Sequence, residues 1–125
     1  MAPAELNALI ASDVLLDFLD GFAPAAELRR YRRRFVSIIS WMEVMAGART
    51  PEDEATRRGF LSHFEILPLT ELVAEQAVAL RRAHRLKLPD AVILATSSAA
   101  NCLLVSRNTK DVPSGQPGIR FPYRR

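Results

Sequence analysis

The chain predicts an α/β fold in three layers, with a central, mainly parallel β-sheet flanked by helices on both faces. Short apolar runs that read as buried strands recur along it, among them LNALIA, FVSII and CLLVS. Stretches with helical spacing of apolar residues lie between them, and that alternation is the pattern of a parallel sheet covered on both sides.

Taken in order, Leu6 to Ala11 reads as the first strand, and Asp13 to Phe18 as a short helix closed by Gly21. Pro24 opens a second helix, expected to run to about Arg33. Phe35 to Ile39 is β-branched and apolar, a second strand, and Ser40 begins a helix that stops at Gly47. Thr50-Pro51-Glu52-Asp53 combines an N-cap, a proline at the first helical position and an acid three residues after the cap, so a helix starts there. Phe64 to Leu67 is a short strand ended by Pro68. Thr70 caps a long helix whose apolar positions Leu72, Val73, Ala77 and Leu80 fall on helical spacing. A helix from Pro89, a strand from Cys102 to Ser106 and a short strand from Ile119 to Phe121 complete the order, with Pro122 suited to an edge. There is no internal repeat or linker, only a loose Pro- and Gly-rich stretch from Val112 to Gly118, so residues 1–125 are expected to form a single domain.

A chain of 125 residues is long enough to bury roughly two-thirds of its unfolded surface without disulfides or metals. The single cysteine, Cys102, lies in an apolar run and rules out a disulfide framework. No apolar run approaches the ~20 residues of a membrane span, and MAPAELNALI lacks the basic start of a secretory signal. No membrane partner is expected, and cytoplasmic residence follows by default. The net charge is only +3, but Arg29, Arg30, Arg32, Arg33 and Arg34 crowd together, and Arg81, Arg82, Arg85 and Lys87 form a second cluster. Solvated helix faces would account for both. Guanidinium also pairs bidentately with carboxylate and phosphate, which keeps an acidic or nucleic-acid partner open.

Four places can bring acid to one rim of the sheet: the end of the first strand (IASDVLLDFL), Glu43, Asp90, and Asn108 with Asp111. Each has an ordinary alternative. Ser40-x-x-Glu43 reads as a capping box. Asp90 suits the positive end of its helix, Asn108 and Asp111 suit a turn, and Asp13 and Asp17 read as a helix-start acid and a surface acid. Convergence favours a cation: two carboxylates at ~5 Å repel by about 3 kcal/mol at an effective dielectric of 20. A hard divalent ion with oxygen ligands removes that cost. His63 and His84, each expected on a helix, have no second ligand at metal spacing, and the chain has no phosphate-binding glycine loop or serine nucleophile elbow.

Three ordered blocks, ASDVLLDFL, VSIISWMEVMAG and LPDAVILATSSAANCLLVSRNTKD, resemble the motifs of the PIN-domain family, specifically its VapC-type ribonuclease toxins. The resemblance covers nearly the whole chain and implies a PIN-like three-layer sandwich. It also implies an Mg²⁺- or Mn²⁺-dependent endoribonuclease cutting a tRNA or rRNA loop, neutralised by a cognate VapB-type antitoxin and paired as a homodimer. By position it makes Glu43 and Asp90 metal ligands and lets Asn108 and Asp111 share a further ligand position. Ser12, Asp13, Ser40 and Arg107 take supporting places, and Arg29, Arg30, Arg32, Arg33 and Arg34 are candidates for binding RNA or the antitoxin.

The family's first acid falls on residue 11, which is Ala11 here. A natural pseudo-nuclease and a replacement that makes a toxic enzyme tolerable both fit, and the intact flanks and remaining acids favour replacement. A non-catalytic regulator that binds RNA or an antitoxin is the competing class. A phospho-acceptor receiver is excluded, because the strand FVSII ends in Ser40-Trp41 and Asp53 begins a helix.

Overall fold

The computed structural model describes residues 7–108 and 118–125. Its elements are β1 (Asn7–Ile10), α1 (Ser12–Leu19), α2 (Ala25–Arg29), β2 (Arg33–Ser37), α3 (Ile38–Ala46), α4 (Pro51–Leu61), β3 (Glu65–Leu67), α5 (Glu71–His84), α6 (Leu88–Ala99), β4 (Leu103–Val105) and β5 (Ile119–Arg120). The five strands form one sheet in the order β3-β2-β1-β4-β5, with every neighbouring pair parallel. The chain builds outward from β1 through β2 to β3, then returns to the other side of β1 as β4. That reversal puts a switch point at the C-terminal ends of β1 and β4, where open parallel sheets bind ligands.

Alternate side chains of the strands go to opposite faces. Leu9, Phe35 and Leu104 pack with Val73 and Ala77 of α5 and with Ala91 to Ala95 of α6. Ala8, Ile10, Val36 and Val105 pack with Val14 and Leu15 of α1, Val44 of α3 and Leu61 of α4. Two cores on one sheet make the expected three-layer, mainly parallel α/β architecture.

Thr50 and Thr70 cap α4 and α5 as expected, each hydroxyl accepting from the backbone N–H three residues on, Asp53 and Val73. The α1 helix closes at Gly21, whose φ of +74° suits a residue without Cβ. There Phe22 N donates to Asp17 O and Gly21 N to Phe18 O, the paired bonds of a Schellman end.

Two boundaries differ from the sequence reading. The α2 helix stops at Arg29 instead of running to Arg33, because Tyr31 turns into the core and Arg33 and Arg34 pair in register with Asn7 and Ala8 of β1. Ser37, not Ser40, caps the helix that follows β2: its Oγ accepts from Ser40 N at 3.1 Å, so Ile38 and Ile39 form the first helical turn. A cap hydrogen bond here overrides the strand preference of two β-branched residues. His63 lies just past the end of α4, in the turn before β3, while His84 ends α5 as expected on a helix.

Candidate functional site

A cleft of about 260 Å³ opens at the switch point. Ala11, Ser12 and Asp13 enter it from the end of β1 and the start of α1, Glu43 from α3, Asp90 from the first turn of α6, and Ser106 and Asn108 from the end of β4. Leu16, Ile93 and Leu94 supply apolar walls. Asp90 also sits at the positive end of the α6 dipole.

Glu43 is oriented by serines. Ser12 Oγ lies 2.7 Å from Glu43 Oε1 and 2.9 Å from Ser40 Oγ, which is itself 3.3 Å from Ser37 Oγ. Each hydroxyl has one proton. The arrangement that satisfies the carboxylate has Ser37 donating to Ser40, Ser40 to Ser12 and Ser12 to Glu43. Ser37 and Ser40 are fully buried, so this row of hydroxyls anchors Glu43 to the end of β2. The capping box read in Ser40-x-x-Glu43 is not formed, because Ser40 stands one turn inside the helix.

A second network ties α1 to the end of β4. Asp13 Oδ1 accepts from Val14 N at 2.8 Å, and its Oδ2 accepts from Arg107 N at 3.0 Å. Arg107 reaches the other way, donating Nε and Nη2 to the two oxygens of Asp17 at 2.5 and 3.2 Å. Tyr123 Oη at 2.8 Å and Arg125 Nη1 at 2.6 Å complete the shell of that carboxylate. Asp17 is therefore not a surface acid: it is 1% exposed. Burial pushes its carboxyl up, but the hydrogen bonds from Arg107, Tyr123 and Arg125 outweigh this and hold it below the usual carboxylate range. Sequence reading missed it because the partners come from residues about 90 and 106 positions away. The only local hint was its place on the same helical face as Val14.

Glu43, Asp90, Asn108, Ser12 and Asp13 thus meet around one cleft with Ala11, while Ser40 and Arg107 hold its walls from behind. Asp111 lies outside the described residues. The arginines are elsewhere: Arg32, Arg33 and Arg34 lie before or at the start of β2, at the opposite end of the sheet, and Arg33 pairs with Glu65 at 2.8 Å. Among the described residues no three His, Cys, Asp or Glu side chains are grouped closely enough to hold a metal. The donor chemistry, two carboxylates and an amide oxygen, fits a hard divalent cation. Asp13 also lines the cleft, but its two oxygens already accept from Val14 N and Arg107 N, which leaves Glu43 and Asp90 as the carboxylates open to a cation, and Ala11 at the end of β1 offers no side-chain donor.

Ala11 is also the N-cap of α1. Its backbone is extended, with φ −71° and ψ 160°, and no side chain caps the helix. Alanine is among the weakest residues at that position and aspartate among the strongest.

The family model of the PIN domain matches residues 9–111. The fold is similar to that of a chain in a toxin–antitoxin complex from Klebsiella pneumoniae, with a TM-score of 0.84 and 39% identity over 94% of this chain and 98% of that one. It is also similar to DNA-bound VapBC from Salmonella typhimurium (TM-score 0.73, 20% identity, 92% and 96% covered). VapBC2 from Rickettsia felis, bound to a promoter fragment, is a third neighbour (TM-score 0.70, 18% identity, 82% and 89% covered). At those lower identities the likeness is one of fold. No curated protein matches the chain. With the family model spanning most of the sequence and one relative similar along nearly its whole length, the chain is a member of the PIN domain family, of the type found in toxin–antitoxin complexes.

Proposed function

We propose that this protein is a VapC-type toxin, a cytoplasmic endoribonuclease that hydrolyses a phosphodiester bond in a tRNA or rRNA loop, and that Ala11 leaves this chain impaired. The observation that carries the reading is the convergence of Glu43, Asp90 and Asn108, from three separate elements, on one cleft at the sheet's switch point. Glu43 and Asp90 would hold an Mg²⁺ or Mn²⁺ ion, with Asn108 and Asp111 sharing a further position and residue 11 supplying a third carboxylate in the active form. Such an ion supplies Lewis-acid polarisation of a phosphoryl oxygen and activation of water.

The chain's own residues do the positioning. Ser12 fixes one oxygen of Glu43 and leaves the other to the cleft. Asp13 and Arg107 lock the β4 end on which Asn108 rides. Leu16, Ile93 and Leu94 give the cleft apolar walls, and a less polar surround strengthens charge interactions. A cognate VapB-type antitoxin would inhibit by placing an arginine or lysine against these acids, relieving their repulsion as a metal does. Pairing as a homodimer belongs to the same proposal.

Ala11 and the missing third acid favour a second reading, a non-catalytic binder of RNA or antitoxin. One assay separates the two: RNA cleavage with Mg²⁺ or Mn²⁺ before and after Ala11→Asp. Cleavage that appears with Ala11→Asp supports the nuclease. A folded Ala11→Asp protein that binds RNA and cuts with neither ion supports the regulator.

A further inference from the structure

A second cavity, of about 370 Å³, lies at the other end of the sheet. Arg32, Arg33 and Arg34 line it from the start of β2, and Ser62, His63, Phe64 and Glu65 from the α4–β3 turn. Three guanidiniums face one carboxylate there. Glu65 is committed to Arg33 through two hydrogen bonds, at 2.8 and 3.3 Å. Ser62 Oγ donates to Gly59 O at 2.6 Å and is likewise committed. Arg34 Nε reaches only the carbonyl of Tyr31, at 3.5 Å, and Arg32 is exposed with no ion pair among the described residues. Among the described residues the cavity thus keeps an excess of positive charge. Guanidinium forks match phosphate oxygens, and a free fork loses little on binding them.

We propose that this cavity is a second phosphate-binding site for RNA, distinct from the cleft, that takes the backbone of the same RNA whose target bond lies in the cleft. The proposal rests on the ribonuclease reading and extends it to substrate size. The strand β2, five residues long, separates the cavity at its start from the Ser37 end that anchors Glu43, and such a strand spans roughly 13 Å. Phosphates along one strand of a duplex recur about every 3.4 Å. An RNA duplex that touches both places must therefore span at least about four base steps. The inferred selection is for folded, extended RNA over short fragments. A protein partner is the weaker fit, since the inhibitor expected at the cleft presents basic residues and this cavity repels them.

Fluorescence anisotropy with labelled RNA over a salt series tests the proposal, and the Ala11 chain serves as the binding protein so that the probe stays whole. A hairpin of about 20 nucleotides and a tetranucleotide are compared. Replacing Arg32 and Arg34 together by alanine should flatten the hairpin's log-affinity against log-salt slope by about 1.4–1.8, or 0.7 for each single-stranded and 0.9 for each duplex phosphate no longer neutralised. The tetranucleotide reaches only one place at a time, so the unsubstituted protein should hold it far more weakly than the hairpin, and the double variant should narrow that gap. Because Arg34 is partly buried, Arg32→Ala alone is the second variant, with an expected change of about 0.7–0.9, and Arg32→Lys should retain the slope by keeping the charge. An unchanged hairpin slope in folded variants overturns the proposal, and so does a tetranucleotide that binds the unsubstituted protein as tightly as the hairpin. Cleavage by the Ala11→Asp protein is scored separately. Cutting without a slope change rejects the cavity and keeps the nuclease; a slope change without cutting keeps the cavity and rejects the nuclease.

Discussion

A carboxylate that is 1% exposed must be held by partners, and Asp17 has three, Arg107, Tyr123 and Arg125. Removing one member of a fully buried ion pair costs ~3–5 kcal/mol. Here the side chains of Arg107 and Arg125 are 27% and 42% exposed and keep some water, so Asp17→Asn should cost about 2–3 kcal/mol in urea unfolding at pH 7. The sign with pH follows from its lowered pKa. The stabilisation is complete above the unfolded value, ~3.9, and is lost as pH falls through the lower folded value. The cost of Asp17→Asn should therefore shrink in acid, and a cost that stays constant from pH 7 to pH 3 would remove the carboxylate's charge from the explanation. None of this was legible locally. An acid directly after the apolar run Val14-Leu15-Leu16 looks like a surface acid until distant partners close over it, whereas Glu43 and Asp90 could be located because one lies just after an apolar strand and the other just after Pro89, local signals of a helix start.

Element boundaries were legible where a backbone position demands a residue type. Gly21 ends α1 with φ +74°, and a Cβ there would meet nothing within 4 Å, so conformational strain is the whole penalty of a side chain. Gly21→Ala should cost about 1 kcal/mol, read as a shift of the urea midpoint with no change in slope. Boundaries were not legible where long-range pairing decides. The arginine run looked helical, but pairing of Arg33 and Arg34 with β1 and burial of Tyr31 make the second half a strand. Ile38 and Ile39 looked like strand because β-branching outweighed a cap signal only one hydroxyl strong, and Ser37 decided otherwise.

At the scale of the molecule, the parallel sheet separates two chemistries: acids at the C-terminal ends of β1 and β4, arginines at the start of β2. The acidic cleft could be anticipated because α/β topology sends helix starts and strand ends to one rim. The basic cavity could not, since its His63 and Glu65 reach the arginines only through the β2–β3 pairing. The single anomaly is Ala11, weak as a helix cap and without a donor for the cleft. Ala11→Asp should gain about 1 kcal/mol from capping. It should lose up to about 3 kcal/mol to repulsion from Glu43 and Asp90, leaving the metal-free protein about 1–2 kcal/mol less stable. Mn²⁺ at about 100 times its Kd should then return ~2.7 kcal/mol, seen as a rise in melting temperature absent from the Ala11 chain.

Titration calorimetry with Mn²⁺ on three proteins, the Ala11 chain, Ala11→Asp, and Ala11→Asp combined with Asp90→Asn, addresses the claim that the cleft is a cation site short of one carboxylate. Binding should be weak or absent in the first, clear in the second and lost again in the third, with each variant folded by circular dichroism. Equal Mn²⁺ binding by all three, or none by a folded Ala11→Asp protein, would contradict it.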